Sequence, residues 1–158
     1  MVEIAPIKVM IVSGYYSPCH AGHIEYVKLA KDYVGKDGVV YVIVNNDNQA
    51  ILKKGYSFIP ENDRLAIMDS LKYVDKAFLS IDTDRTVCKT IEWIYNNAKH
   101  KATHFGNGGD VTPDNPSPED NVCKKNGIEM VYGLGDKIQS SSWILEKSVK
   151  DAYKIMFI

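Results

Sequence analysis

The chain has 158 residues, with 19 Lys and Arg against 20 Asp and Glu and a formal net charge of −1. A balanced charge with no block of one sign argues against general affinity for nucleic acid or an anionic membrane. No apolar run approaches the roughly 20 residues of a membrane span. Cys19, Cys88 and Cys123 are odd in number and form no CxxC pair. That spacing fits a reduced, cytoplasmic setting better than a disulfide framework, and the N-terminus carries no signal-peptide pattern.

In chain order, Ile7 to Ser13 reads as a buried strand and Ala21 to Val34 as a helix, with Ile24, Val27, Leu29, Ala30 and Val34 on its apolar side. Val39 to Val44 is a second strand, closed by Asn45-Asn46-Asp47-Asn48, and Gln49 to Ile59 reads as a loop. Pro60 can open a helix over Glu61 to Tyr73. A third strand is expected over Val74 to Ile81, a helix over Thr86 to Ala98 and a fourth strand over Thr103 to Phe105. A helix near Pro118 to Asn126, a fifth strand over Ile128 to Tyr132 and a closing helix over Ser142 to Tyr153 complete the chain. This alternation predicts one Rossmann-like α/β domain over residues 1–158, a parallel sheet of about five strands with helices on both faces. Ligands of such sheets bind beyond the carboxyl ends of the strands. The site is therefore expected on the loops Gly14–Ala21, Asn45–Tyr56, Gly106–Asn115 and Gly133–Ser142, the segments richest in Gly, Ser, Asn, Asp and His.

The first of these loops carries the most chemistry. Gly14, Pro18 and His20-Ala21-Gly22-His23 lead from the first strand into the first helix. A helix N-terminus offers unpaired N–H groups and partial positive charge, which suit phosphate. His20 and His23 can both face an anion held there, with Gly22 leaving room for close approach. A phosphomonoester oxygen is already anionic, so its attack on an α-phosphate needs positioning and charge neutralisation more than a strong base. The histidines could donate hydrogen bonds to the α- and β-phosphates. Lys53 or Lys54 could add a point charge, and Ser140, Ser141 and Ser142 could hold the β- and γ-phosphates where the last helix opens. Mg²⁺ bridging the phosphates needs few protein carboxylates. A zinc site at Cys19, His20 and His23 is the weaker reading, because no second ligand pair with metal spacing exists. A dehydrogenase lacks its GxGxxG and a P-loop enzyme its GKS/T.

His20-Ala21-Gly22-His23 resembles the HxGH signature of the cytidylyltransferase-like nucleotidyltransferase superfamily, and Ile138-Gln139-Ser140-Ser141-Ser142 resembles its ISSS/ISTT signature. The stretch VNNDNQAILKKGYSFIPENDRLAIMDSLKYVD is similar to the family segment with a phosphate-contacting lysine and an arginine-led helix, which implies roles for Lys53 or Lys54 and for Arg64. Gly108-Gly109-Asp110 resembles the GGD of sugar-phosphate members such as heptose-phosphate adenylyltransferases; glycerol-phosphate cytidylyltransferases are the other near resemblance. The resemblance implies transfer of CMP or AMP from CTP or ATP, with Mg²⁺, to a small phosphorylated sugar or polyol, releasing pyrophosphate. It also implies a homodimer. It places Gly14, Tyr15, Tyr16, Gly22, Gly106, Lys137 and the three serines toward the nucleotide, and Asp110, Arg64 and Ser17 toward the acceptor. Ser17 stands where the family loop has aspartate, Asn107 where a basic residue often precedes GGD, and Lys137 could replace an arginine absent after the serines. The first of these departures supports a second reading, a nucleotide-binding regulator that kept the fold and lost turnover.

Overall fold

The computed structural model describes residues 6–109, 111–135 and 141–156, and the side chains of 141–143 lie outside that description. Five parallel strands form one sheet: β1 (Val9–Gly14), β2 (Val39–Val44), β3 (Lys76–Leu79), β4 (His104–Gly106) and β5 (Glu129–Val131). Helix α1 (Ala21–Val34) joins β1 to β2, and α2 (Asp47–Lys54) and α3 (Glu61–Asp69) join β2 to β3. Helix α4 (Cys88–Asn97) joins β3 to β4, α5 (Asp120–Lys125) joins β4 to β5, and α6 (Ser141–Met156) follows.

Alternation within the strands sets the two layers. Met10, Val12, Val40, Val42 and Val44 face one way, into a core shared with Tyr26, Val27, Ala30 and Val34 of α1 and Met68 of α3. Val9, Ile11, Tyr41 and Ile43 face the other way, against Ile91 and Ile94 of α4, Cys123 of α5, and Phe105 and Ile128. The central strand is closed to solvent on both faces, which is why it reads as a continuous apolar run. Each such fully buried Val or Ile contributes roughly 1.5–3 kcal/mol.

The strand order is β3-β2-β1-β4-β5. The chain runs outward from β1 to β3, then crosses back to place β4 on the other flank of β1. The order therefore reverses between β1 and β4, and the loops leaving these two strands part there to open a crevice. Tyr26 of α1 spans the junction, donating its buried hydroxyl to the Gly106 carbonyl at 2.7 Å.

Two parts of the sequence reading need correction. Residues 47–54 form a helix, not a loop. Asn46 caps it by accepting from the Gln49 N–H at 2.9 Å, while the Gln49 side chain accepts from the Asn46 N–H at 3.0 Å, a reciprocal capping box. Helix α3 ends at Asp69, four residues earlier than expected, because the Asp69 carboxylate accepts from the Ala77 N–H at 2.9 Å and draws the chain into β3. The bounds of α1 and β2 and the start of α3 are as expected, and the remaining boundaries shift by one to three residues.

Candidate functional site

At the start of α1 two imidazoles do the work that Ser and Glu do in an ordinary capping box. His20 is the N-cap residue; its Nδ1 accepts from the Gly22 N–H at 3.1 Å, and His23 Nδ1 accepts from the His20 N–H at 3.3 Å. Histidine is not a favoured cap, so capping alone does not explain the pair. The geometry has a chemical consequence. With both Nδ1 atoms accepting, a neutral ring carries its proton on Nε2, so each histidine keeps one outward donor. The rings lie 4.0 Å apart, tilted by 30°. His20 Nε2 is buried and has no protein partner. Burial, then His20 and Lys54, lowers the His23 pKa to about 4, so this ring is neutral at pH 7. The first turn of α1 contains no acidic residue to offset its positive end.

The floor below the pair is tyrosine. Tyr16 takes a positive φ of 53° and is buried, its ring meeting the His23 ring edge-on at 5.0 Å. Gly14 is required beneath it, because a β-carbon there would stand 2.8 Å from the Tyr16 ring. The Tyr16 hydroxyl is a second buried polar atom without a partner. Burial raises its pKa, so it stays protonated and can donate. Ser17 is also buried, ahead of the cis peptide to Pro18.

Helix α2 brings in positive charge. Lys53 and Lys54 occupy its last turn, where helix geometry itself favours cations. Lys53 sits over the Tyr15 ring, 4.4 Å from its centroid. Burial lowers the pKa of both lysines, and Lys54 and Arg85 push that of Lys53 down further. The charge of Lys54 is felt by His23. Among the described residues neither lysine is in an ion pair.

Arg64 is 1% exposed, and its guanidinium is turned to the protein rather than to the crevice. Nε donates to the Ile59 carbonyl at 2.8 Å, Nη1 to the Tyr15 and Asn45 carbonyls at 2.9 and 2.5 Å, and Nη2 to Asp47 at 2.9 Å. These bonds tie the loop after β1 to the loop after β2, so Arg64 positions Tyr15 and α2 from behind the site. Burial works to raise the Asp47 pKa, but bonds from Ser57 and Arg64 outweigh it and keep the carboxylate charged.

On the other side of the crevice Gly106 is packed without room for a side chain: a β-carbon would stand 2.5 Å from Leu134 and 2.9 Å from the Met10 sulfur. Asn107 turns inward, its backbone N–H donating to the Val131 carbonyl at 2.8 Å while its carbonyl accepts from the Leu134 N–H at 3.0 Å. It ties β4 to β5. Gly108 has open space around it. Gly22 lies in the first turn of α1 between the histidines. Asp110, Lys137 and Ser140 lie outside the described residues, as do the side chains of Ser141 and Ser142, whose backbone opens α6.

The structure thus gathers Gly14, Tyr15, Tyr16, His20, His23, Lys53 and Lys54 at one end of β1. Two contributors had no strong sequence signal. Gln49 anchors α2 from within the core, and Arg85, on the loop after β3, acts electrostatically on Tyr15 and Lys53. The Asn46-x-x-Gln49 spacing is a capping signature that points to α2; nothing in the sequence singles out Arg85.

An FAD synthase from Methanobrevibacter ruminantium is 37% identical over 75 residues, 48% of this chain and 50% of that protein. An FAD synthase from Methanothermus fervidus is 36% identical over 84 residues, 53% of this chain and 57% of its own. The chain thus spans about half the length of these curated relatives. A solved lipopolysaccharide core biosynthesis protein from Thermoplasma volcanium superposes with a TM-score of 0.60 at 22% identity, over 84% of this chain and 98% of that one, and shares the fold. The cytidylyltransferase-like family model matches residues 11–150, and the chain belongs to that family.

Proposed function

We propose that the protein is a nucleotidyltransferase, moving AMP or CMP from ATP or CTP to a small phosphorylated sugar or polyol and releasing pyrophosphate. The observation that carries this reading is the histidine cap. It combines two Nε2–H donors, one buried and unpartnered, with an uncompensated helix N-terminus and the lysines of α2.

In the reaction an acceptor phosphate oxygen attacks the α-phosphorus. The new P–O bond forms as the bond from the α-phosphorus to the β-phosphate oxygen breaks, and pyrophosphate leaves with that electron pair. No proton need leave the acceptor. Charge builds on the oxygens around the α- and β-phosphorus, where the imidazole N–H groups donate. Lys54 neutralises charge beside His23. Mg²⁺ would come with the triphosphate and would help to neutralise its charge. Among the described residues no group of three His, Cys, Asp or Glu side chains could hold a metal ion, and this reading needs none.

The methanogen relatives named FAD synthase make FMN a specific candidate acceptor. FMN carries its phosphate on a ribityl chain, itself a polyol, so it falls within the proposed class. The test is pyrophosphate release from ATP and CTP against FMN, glycerol 3-phosphate and sugar phosphates. The reading expects one nucleotide and one phosphomonoester to stand out. Tight nucleotide binding with no turnover in any pairing favours the regulatory reading instead.

A further inference from the structure

Arg85 is an exposed loop residue that the sequence motifs leave unassigned, yet the residues on either side of it are tied down by hydrogen bonds. Gln49 is fully buried, and its Nε2 donates to the Asp84 and Thr86 carbonyls, each at 2.8 Å. These are the residues on either side of Arg85. Asn46, the cap of α2, grips the same loop earlier, donating to the Ser80 and Asp82 carbonyls at 3.0 Å each. The loop after β3 is thereby bound to the helix that carries Lys53 and Lys54.

The neighbouring carboxylates are occupied elsewhere. Asp82 accepts from the Lys89 and Thr90 N–H groups, both at 2.9 Å, and from the Thr90 hydroxyl. Asp84 accepts from the Thr86 N–H at 2.8 Å and hydroxyl at 2.7 Å. Among the described residues Arg85 forms no ion pair. Its charge is instead felt by Tyr15 and by Lys53. Burial raises the Tyr15 pKa, and the charge and hydrogen-bonding of Arg85 work against that rise. Lys53 lies over the same ring. Two like charges that act on one tyrosine, neither of them in an ion pair among the described residues, form a seat for an anion.

We propose that Arg85, with Lys53, binds the phosphomonoester of the acceptor, on the β3 side of the histidines. This rests on the nucleotidyltransferase reading and extends it. Lys54 and the histidines face the triphosphate, and the reversal of strand order puts the nucleotide's remainder toward β4 and β5. Arg85 stands on the opposite flank, where an attacking phosphate would arrive. A guanidinium can take two phosphate oxygens at once and so orient the attacking one.

The test compares wild type, Arg85→Ala and Arg85→Lys by titration calorimetry. Inorganic phosphate is titrated in the presence of α,β-methylene ATP or CTP, and each nucleotide is titrated alone. Arg85→Ala is expected to weaken phosphate binding about tenfold or more and to leave nucleotide affinity unchanged. Arg85→Lys is expected to fall between, keeping charge without the fork. Unchanged phosphate affinity in folded Arg85→Ala overturns the proposal. An equal or greater loss of nucleotide affinity also overturns it, placing Arg85 on the triphosphate. These readouts need no turnover. A wild type that binds phosphate through Arg85 but releases no pyrophosphate would therefore fail the functional reading and leave this one standing.

Discussion

His20 and His23 cap each other's helix: the Nδ1 of each ring accepts a backbone N–H at the start of α1, at 3.1 and 3.3 Å. One pair of side chains thus stabilises the helix end and aims two N–H donors away from it. The structural and chemical roles of the motif are not alternatives. Its spacing of three residues is the spacing a capping box needs.

The tautomers follow from that geometry. Nitrogen-detected NMR of the histidine rings at pH 7 should show Nδ1 bare and Nε2 protonated in both residues. Addition of Mg²⁺ with ATP or CTP should shift the Nε2 protons most. A protonated Nδ1 in either ring would break the proposed arrangement.

Stability should fall in mild acid because of His23. Its pKa is lowered to about 4 in the fold, against about 6.5 in the unfolded chain. Below pH 6.5 the unfolded chain binds a proton that the native state refuses, so stability is full above 6.5 and declines as pH falls toward 4. The loss is at most about 3 kcal/mol. Urea unfolding of wild type and His23→Gln at pH 7, 5 and 4 isolates it. The gap between the two proteins should shift in the variant's favour over this window, and a constant gap would contradict the burial of a neutral ring.

Arg64 should matter for folding before it matters for substrate. Arg64→Ala leaves the Ile59, Tyr15 and Asn45 carbonyls and the Asp47 carboxylate without their donor. A loss of roughly 3–5 kcal/mol is expected, as for other broken buried pairs. Denaturant midpoints measure it; a stable variant with selectively raised acceptor KM would return Arg64 to the substrate.

The sequence disclosed the layers because β1 and β2 are apolar runs rich in β-branched residues, and α1 and α4 repeat apolar residues at helical spacing. It concealed α2. Asn45-Asn46-Asp47-Asn48 and Lys53-Lys54-Gly55 look like loop chemistry, and the helix between them is too short to show a stripe. What makes it a helix is a cap and one buried glutamine, Gln49, whose five hydrogen bonds run to the loop after β2 and the loop after β3. The histidines were legible because two similar residues at fixed spacing form a motif. Arg64 was visible as a residue but not as a tie, because the Tyr15 and Asn45 carbonyls it joins are far away in the chain. Arg85 was not legible at all: a lone arginine acquires meaning only from what the fold sets beside it.

Gly106 should tolerate no side chain. Gly106→Ala would drive a methyl group into Leu134 and Met10 at the mouth of the crevice. A loss of about 1–3 kcal/mol is expected, together with weakened nucleotide binding. Pairing it with Leu134→Ala should recover stability, and failure to recover would locate the strain elsewhere.

The most direct measurement is the rate of pyrophosphate release, with the best nucleotide and phosphomonoester found in the panel, by wild type, His20→Ala and His23→Ala, each checked for folding by its unfolding curve. Loss of one oriented donor to a developing oxyanion typically lowers kcat by roughly 10²–10³. The account predicts losses of that order in both variants, with the fold retained. A folded His23→Ala that releases pyrophosphate at close to the wild-type rate would contradict it.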